Sequence, residues 1–203
     1  MKYDHAIIPV AATLLLAGCI SVLPEQKHAV PRYDVSLPTV APASAATAEK
    51  AASPALFVTG RVRASDEASG RLIRTADMST GRTGILTDGE LARTPEAIVG
   101  AFLRARLAAA HPGDIVCDAS VAPRSGDRTI VDAWIERFRL EKRDGAWCFT
   151  ASIRILSTAP DGSVTVVDAA PSIPVPTNDG ARPTAAEATR AISGALASIK
   201  LNL

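Results

Sequence analysis

The sequence predicts an α+β domain: one mainly antiparallel sheet that ends in a C-terminal three-strand meander, with two helices packed on one face. Three observations predict it. Two tight-turn signals, Asp144-Gly145 and Pro160-Asp161-Gly162, divide a β-rich region into strands near 129–142, 146–158 and 163–168, and connections this short make neighbouring strands antiparallel. Two segments, Thr94-Pro95-Glu96 and Thr184-Ala185-Ala186-Glu187, carry helix-start chemistry and are followed by apolar residues at helical spacing. The order strands, helix, strands, helix then lets a single sheet bury every apolar stripe on one side.

At the N-terminus, a short polar start containing Lys2 precedes an apolar run from Ile7 to Leu16, and Ala17-Gly18 sit directly before Cys19. A polar start, an apolar centre and small residues at the cut make a secretory signal peptide, residues 1–18. The stretch Leu16-Ala17-Gly18-Cys19 resembles the lipobox of bacterial lipoproteins. That resemblance implies cleavage between Gly18 and Cys19, a diacylglyceryl group on the Cys19 thiol and acylation of the new amine. The apolar run is too short, and too close to the cut, for a stable membrane span, so attachment would come from the acyl chains.

Residues 19–54 read as a lipidated cysteine and a Pro/Ala-rich tether, broken by Pro24, Pro31, Pro38, Pro42 and Pro54. About 35 residues of this kind would reach on the order of 100 Å fully extended. One island interrupts the tether: in Arg32-Tyr33-Asp34-Val35-Ser36-Leu37 the apolar residues alternate with polar ones, so a short strand near 32–37 is expected to add to the sheet. The folded body is expected over 55–203. Leu56–Val62 reads as a strand with Leu56, Val58 and Val62 in phase, followed by short pieces at Leu72-Ile73 and Ile85-Leu86. The helix from Thr94 should run to about Ala110, with Ile98, Phe102, Ala105 and Ala109 on one face, and His111-Pro112-Gly113 ends it.

The alternation Ile115, Cys117, Ala119, Val121 predicts a strand with those residues inward. Along 146–158, Trp147, Phe149, Ala151, Ile153 and Ile155 share one face. In the preceding strand Val131, Ala133 and Ile135 are odd whereas Phe138 and Leu140 are even. A β-bulge near Glu136-Arg137 would keep all five on the core side and turn Trp134 outward. After the Pro-rich stretch from Ser172 to Pro183, Thr184 to Glu187 matches a capping box, and the last helix should reach about Lys200.

Composition bounds the chemistry. The chain has 203 residues and a formal net charge of +1; it is 47% hydrophobic but only 4% aromatic. Much of the apolar content is alanine, which predicts a thin core. The absence of a long basic block argues against nucleic acid as a partner. No catalytic constellation is visible. His28 falls in the tether, and His111 reads as a dipole partner at a helix end. Thr80-Gly81-Arg82-Thr83-Gly84 lacks the spacing and the lysine of a phosphate loop. The Asp-Gly turns lack the alternating oxygen ligands of a calcium loop. No metal and no cofactor is expected. Cys117 and Cys148 form no zinc-type pair. An oxidising compartment favours a disulfide between them, whereas the assignment of Cys117 inward and Cys148 outward opposes one. Both alternatives stay open.

Taken together, the lipobox, the strand Arg32-Tyr33-Asp34-Val35-Ser36-Leu37-Pro38, the helix start Pro95-Glu96-Ala97-Ile98-Val99, the strand Val131-Asp132-Ala133-Trp134-Ile135-Glu136-Arg137-Phe138, the hairpins and the final helix occur in one order. In that order the chain resembles the ABC-type transport auxiliary lipoproteins, the outer-membrane partners of MCE-type lipid transporters. The resemblance implies a docking or assembly component without catalysis of its own. Its partners would be an MCE-domain protein with its ABC permease and ATPase, and the membrane through the acyl chains. A homo-oligomer stays open. Ile20, rather than Asp, after the lipidated cysteine resembles the class sorted to the outer membrane, which implies a periplasm-facing anchor. A pilotin-like or other envelope-assembly lipoprotein that binds a protein partner is the alternative. Tyr33, at a sheet edge, and the outward Trp134 are the candidate partner contacts, against a simpler role in packing.

Overall fold

The spine of the molecule is a long antiparallel hairpin, β6 (Thr129–Arg143) and β7 (Ala146–Thr158). Its turn forms because Asp144 and Gly145 both adopt positive φ, at 49° and 81°, the backbone that matches the twist of the flanking strands. The computed structural model describes residues 29–37, 39, 54–123, 126–177 and 180–201. Around the hairpin lie β1 (Arg32–Tyr33), β2 (Leu56–Ala64), β3 (Leu72–Asp77), β4 (Arg82–Leu91), β5 (Ile115–Asp118), β8 (Val164–Ala169) and β9 (Ser172–Pro174), with helices α1 (Pro95–Ala110) and α2 (Ala185–Ser198).

The nine strands make one mixed sheet. Antiparallel pairings join β3 to β4 and β7 to β6, β8 and β9, and these include the longest ladder. Parallel pairings join β1 to β4, β2 to β5, and β6 to both β2 and β3. The spine is long enough to be flanked twice on each side. The first half of β6 pairs with β2 and its second half with β3. Likewise the first half of β7 pairs with β9 and its second half with β8. Two half-sheets therefore share one hairpin. One runs β5-β2-β6-β7-β8, and the other runs β1-β4-β3-β6-β7-β9.

Each half carries its own helix. α1 packs on β2 and β5, and α2 packs on β7, β4, β9 and β1. Both contribute to a single core, in which Ile98, Phe102, Leu103 and Leu107 of α1 and Ile192 and Leu196 of α2 are fully buried. Each such side chain contributes about 1.5–3 kcal/mol relative to exposure. The helix starts behave as their chemistry dictates. Thr94 caps α1 through Ala97 N–H, and Thr184 with Glu187 forms a complete capping box on α2. Arg106 of α1 donates to the carbonyls of Ala197 and Ile199, at 2.8 and 3.0 Å, and so ties the open end of α2 to α1.

The β-bulge in β6 lies between Ile135 and Arg137, and Val131, Ala133, Ile135, Phe138 and Leu140 are all buried. A second bulge, between Thr59 and Val62 of β2, changes a sequence expectation. Phe57, Thr59 and Val62 lie on the core side, and Val58 lies on the other face. The bulge shifts the phase, so Val58 and Val62 are not on one face. The cause is local: Asp132 reaches across to the Arg61 N–H at 2.5 Å, and a Cβ at Gly60 would overlap its carboxylate.

The compact unit that holds the sheet takes in the chain from Pro31. β1 has only two residues, but Val35 beyond it is 1% exposed. Arg32 bonds Glu90 at 2.7 Å and Arg93 bonds Asp34 at 2.8 Å. The Tyr33 carbonyl accepts from Ala92 N–H. The island read from the sequence is therefore a strap sewn onto β4, and the chain between Cys19 and Pro31 has about a dozen residues, roughly 40 Å when fully extended.

Candidate functional site

With both helices on one face, the opposite face of the sheet is left open, and register decides what it displays. On the β5–β8 half, residues paired with one another share a face. Thus Ile115 and Cys117 of β5 join Leu56 and Val58 of β2, Ile130 and Trp134 of β6, Leu156 of β7, and Val164 and Val166 of β8. Several of these are exposed apolar side chains: Trp134 at 39%, Ile115 at 52%, Val164 at 56% and Val166 at 52%. Trp134 stands between Arg63 and Arg154 across the strands. Arg154 is held by Asp168 at 2.8 Å. A large aromatic side chain flanked across the strands by two arginines, on an apolar stripe, is the composition of a protein-docking surface.

On the β1–β9 half the same face carries a charge cluster. The Glu141 side chain is fully buried, with Arg139 donating to Oε1 at 3.0 Å, Arg143 bonding Oε2 through two nitrogens, and Arg137 3.6 Å away. Burial pushes this carboxyl up, but the hydrogen bonds and charges of Arg143 and Arg139 outweigh it and hold the group below the ordinary carboxylate range. Glu67 pairs with Arg139 from the rim at 3.2 Å. Beside it, Arg74, Thr83, Ile85 and Arg139 line a shallow cleft of about 200 Å³. Arg139 and Arg143 are committed to carboxylates, so the cluster reads as a rivet between strands, whereas Arg74 donates to the Asp66 carbonyl at 3.1 Å.

The sequence-derived candidates separate on this geometry. Trp134 points outward from the sheet, as the bulge requires. Tyr33 does not offer a free surface: a Cβ at Gly89 would overlap its ring, so the ring packs over that glycine where β4 meets the start of α2. Gly18 and Cys19 lie outside the described residues. Cys117 and Cys148 are both unbonded. The inward assignment of Cys117 is also corrected: Val116 packs toward the core, and Cys117 faces the other way opposite Val58. Both thiols share the open face, yet Cys117 is in register with Thr158 through Val58 and Ile130. That leaves ten residues of β7 before Cys148, or roughly 30 Å, far beyond the span of a disulfide. His111 caps α1 and stacks on Phe57 with ring centres 4.2 Å apart.

Val164, Val166 and Glu141 were missed by sequence reasoning. The alternation Val164-Thr165-Val166 was visible, but nothing in it tells an open face from a covered one. Among the described residues no group of three or more His, Cys, Asp or Glu side chains converges as metal ligands, and no helix is long and apolar enough to cross a membrane.

No family model matches the sequence, and no curated protein matches it. Solved structures do. The crystal structure of an uncharacterized protein aligns with TM-score 0.58 over 82% of this chain and 91% of its own, at 16% identity. Protein XCC0632 from Xanthomonas campestris, described as DUF330, aligns with TM-score 0.60 over 81% of this chain and 86% of its own, at 14% identity. The chain shares their fold. At such identities the likeness is one of fold alone. A chain of a PelC dodecamer from Paraburkholderia phytofirmans matches 72% of this chain and 91% of its own at 15% identity, but with TM-score 0.26 it carries no argument.

Proposed function

We propose that this protein is a lipid-anchored docking and assembly component of an MCE-type ABC system for intermembrane lipid transport, held at the periplasmic face of the outer membrane, without catalysis of its own. The observation that carries the reading is the open sheet face, with Trp134, Val164 and Val166 exposed on one rigid surface. Monomeric proteins seldom leave such a stripe uncovered without a partner for it. The sequence supplies the rest: the lipobox ending at Cys19 supports the anchor, and the ordered set of motifs supports the choice of transport system. The partner in this reading is the MCE-domain protein with its permease and ATPase.

The test is a gentle detergent pull-down of the lipidated chain, followed by mass spectrometry. Recovery of an MCE-domain protein with a permease and an ATPase is the expected result. Recovery of a secretin in their place would overturn the transport reading and move the protein to the pilotin-like class.

A further inference from the structure

Among the described residues β8 pairs with β7 alone, so its other edge is open. The remaining edges are blunted. β9 follows Pro171 and ends on Pro174, β1 has two residues and follows Pro31, and β5 has four residues and closes on Asp118, which Arg104 of α1 holds. β8 has six residues and no proline, and its one charge, Asp168, stands near its far end. Its first four residues, Val164-Thr165-Val166-Val167, are all β-branched and uncharged.

The ladder fixes which backbone groups are free. Ala159 N–H donates to the Ser163 carbonyl. Hydrogen-bonded and non-bonded pairs alternate along an antiparallel ladder, so the N–H and C=O groups of Val164, Val166 and Asp168 point to the open edge. The side chains of Val164 and Val166 lie on the open face beside Leu156 and Trp134.

We propose that two copies of this chain join through β8, edge to edge and antiparallel, about a two-fold axis beside Thr165. In this register Val164 lies opposite the partner's Val166, and Val166 opposite the partner's Val164. Both pairs use the free backbone groups, giving four hydrogen bonds. Thr165 meets its own mate as the non-bonded pair at the axis. The β-branched pairs across the junction are the combination that stabilises strand pairing. A slip by two residues would set Val164 against Asp168, apolar against charge, and Asp168 is already engaged by Arg154. The contact is isologous and closes at two copies. It also joins the two apolar stripes into one continuous surface, so the proposal deepens the docking reading without depending on who the larger partner is.

The test uses the full chain in its membrane, with Cys117→Ser and Cys148→Ser, and Thr165→Cys added. Two thiols at a non-bonded antiparallel pair lie close enough to bridge on mild copper-phenanthroline oxidation. A covalent dimer is expected with Thr165→Cys and absent from the same background without it. Adding Val166→Lys should cut the dimer at least tenfold. Three results would overturn the proposal: no dimer above background, a yield unchanged by Val166→Lys, or equal cross-linking from a remote exposed position such as Thr80→Cys. Wild-type protein that sediments as a monomer in mild detergent would also overturn it. Because this readout is independent of the pull-down, failure of either leaves the other standing.

Discussion

Glu141 concentrates more electrostatics than any other residue on the sheet. Its buried carboxylate neutralises arginines from its own strand, so removing the charge leaves Arg143 without its counterion and Arg139 with only the rim carboxylate of Glu67. Glu141→Gln should therefore destabilise the fold by about 3 kcal/mol at neutral pH, at the low end for a broken buried pair because Arg137 and Arg143 stay half exposed. The sign of the pH dependence follows from its lowered folded pKa. The contribution is complete above the ordinary carboxyl value near 4.5 and is lost as pH falls through the lowered folded value. Denaturant unfolding of wild type and Glu141→Gln across that window should show the gap closing on acidification; a gap independent of pH would contradict the assignment. Gly89 acts by size: only a hydrogen fits between the Tyr33 ring and Ala185. Neither role was legible in the sequence, where Glu141 is one acid among several arginines. Trp134 was legible, because the phase change around Glu136-Arg137 forces the ring off the core face.

The elements governed by local chemistry were read closely. α1 begins and ends where Thr94 and His111 require, and the meander follows from two Gly-containing turns. What could not be read was non-local. The parallel pairings of β2 and β3 with β6 leave no local mark, because each partner is far away in sequence. The phase of β5 was not legible because none of its four residues is buried: Ile115 is exposed, and Val116 and Cys117 are both half-buried. The Arg32–Leu37 island was legible as a strand that adds to the sheet, but its partner β4 was not, because that strand is distant in sequence. Val35 provides the test of that strap. It is 1% exposed, so Val35→Asp should bury an unpaired charge and cost about 3 kcal/mol or more. Thermal unfolding of the variant should fall by several degrees, whereas a freely swinging tether would leave the midpoint unchanged.

At the scale of the molecule, helices cover one face of a forked sheet and leave the other bare. The core depends on the covered face, and the bare one holds a riveted charge cluster at one end and an apolar stripe at the other. The strap at Arg32–Leu37 brings the start of the folded unit to within about a dozen residues of Cys19, so in the anchored reading the domain works near the membrane on a leash of at most roughly 40 Å. The general class of this architecture was legible from element order and turn chemistry. The openness of the second face was not, because a stripe of valines in a strand looks the same whether it is covered or free. The central claim is that this face docks a transport partner. The most direct measurement is site-specific photocross-linking in cells, with benzoylphenylalanine at Trp134 and, separately, at exposed Arg190 on α2. The account predicts an adduct with an MCE-domain protein from position 134 and none from position 190; an adduct from 190 alone would contradict it.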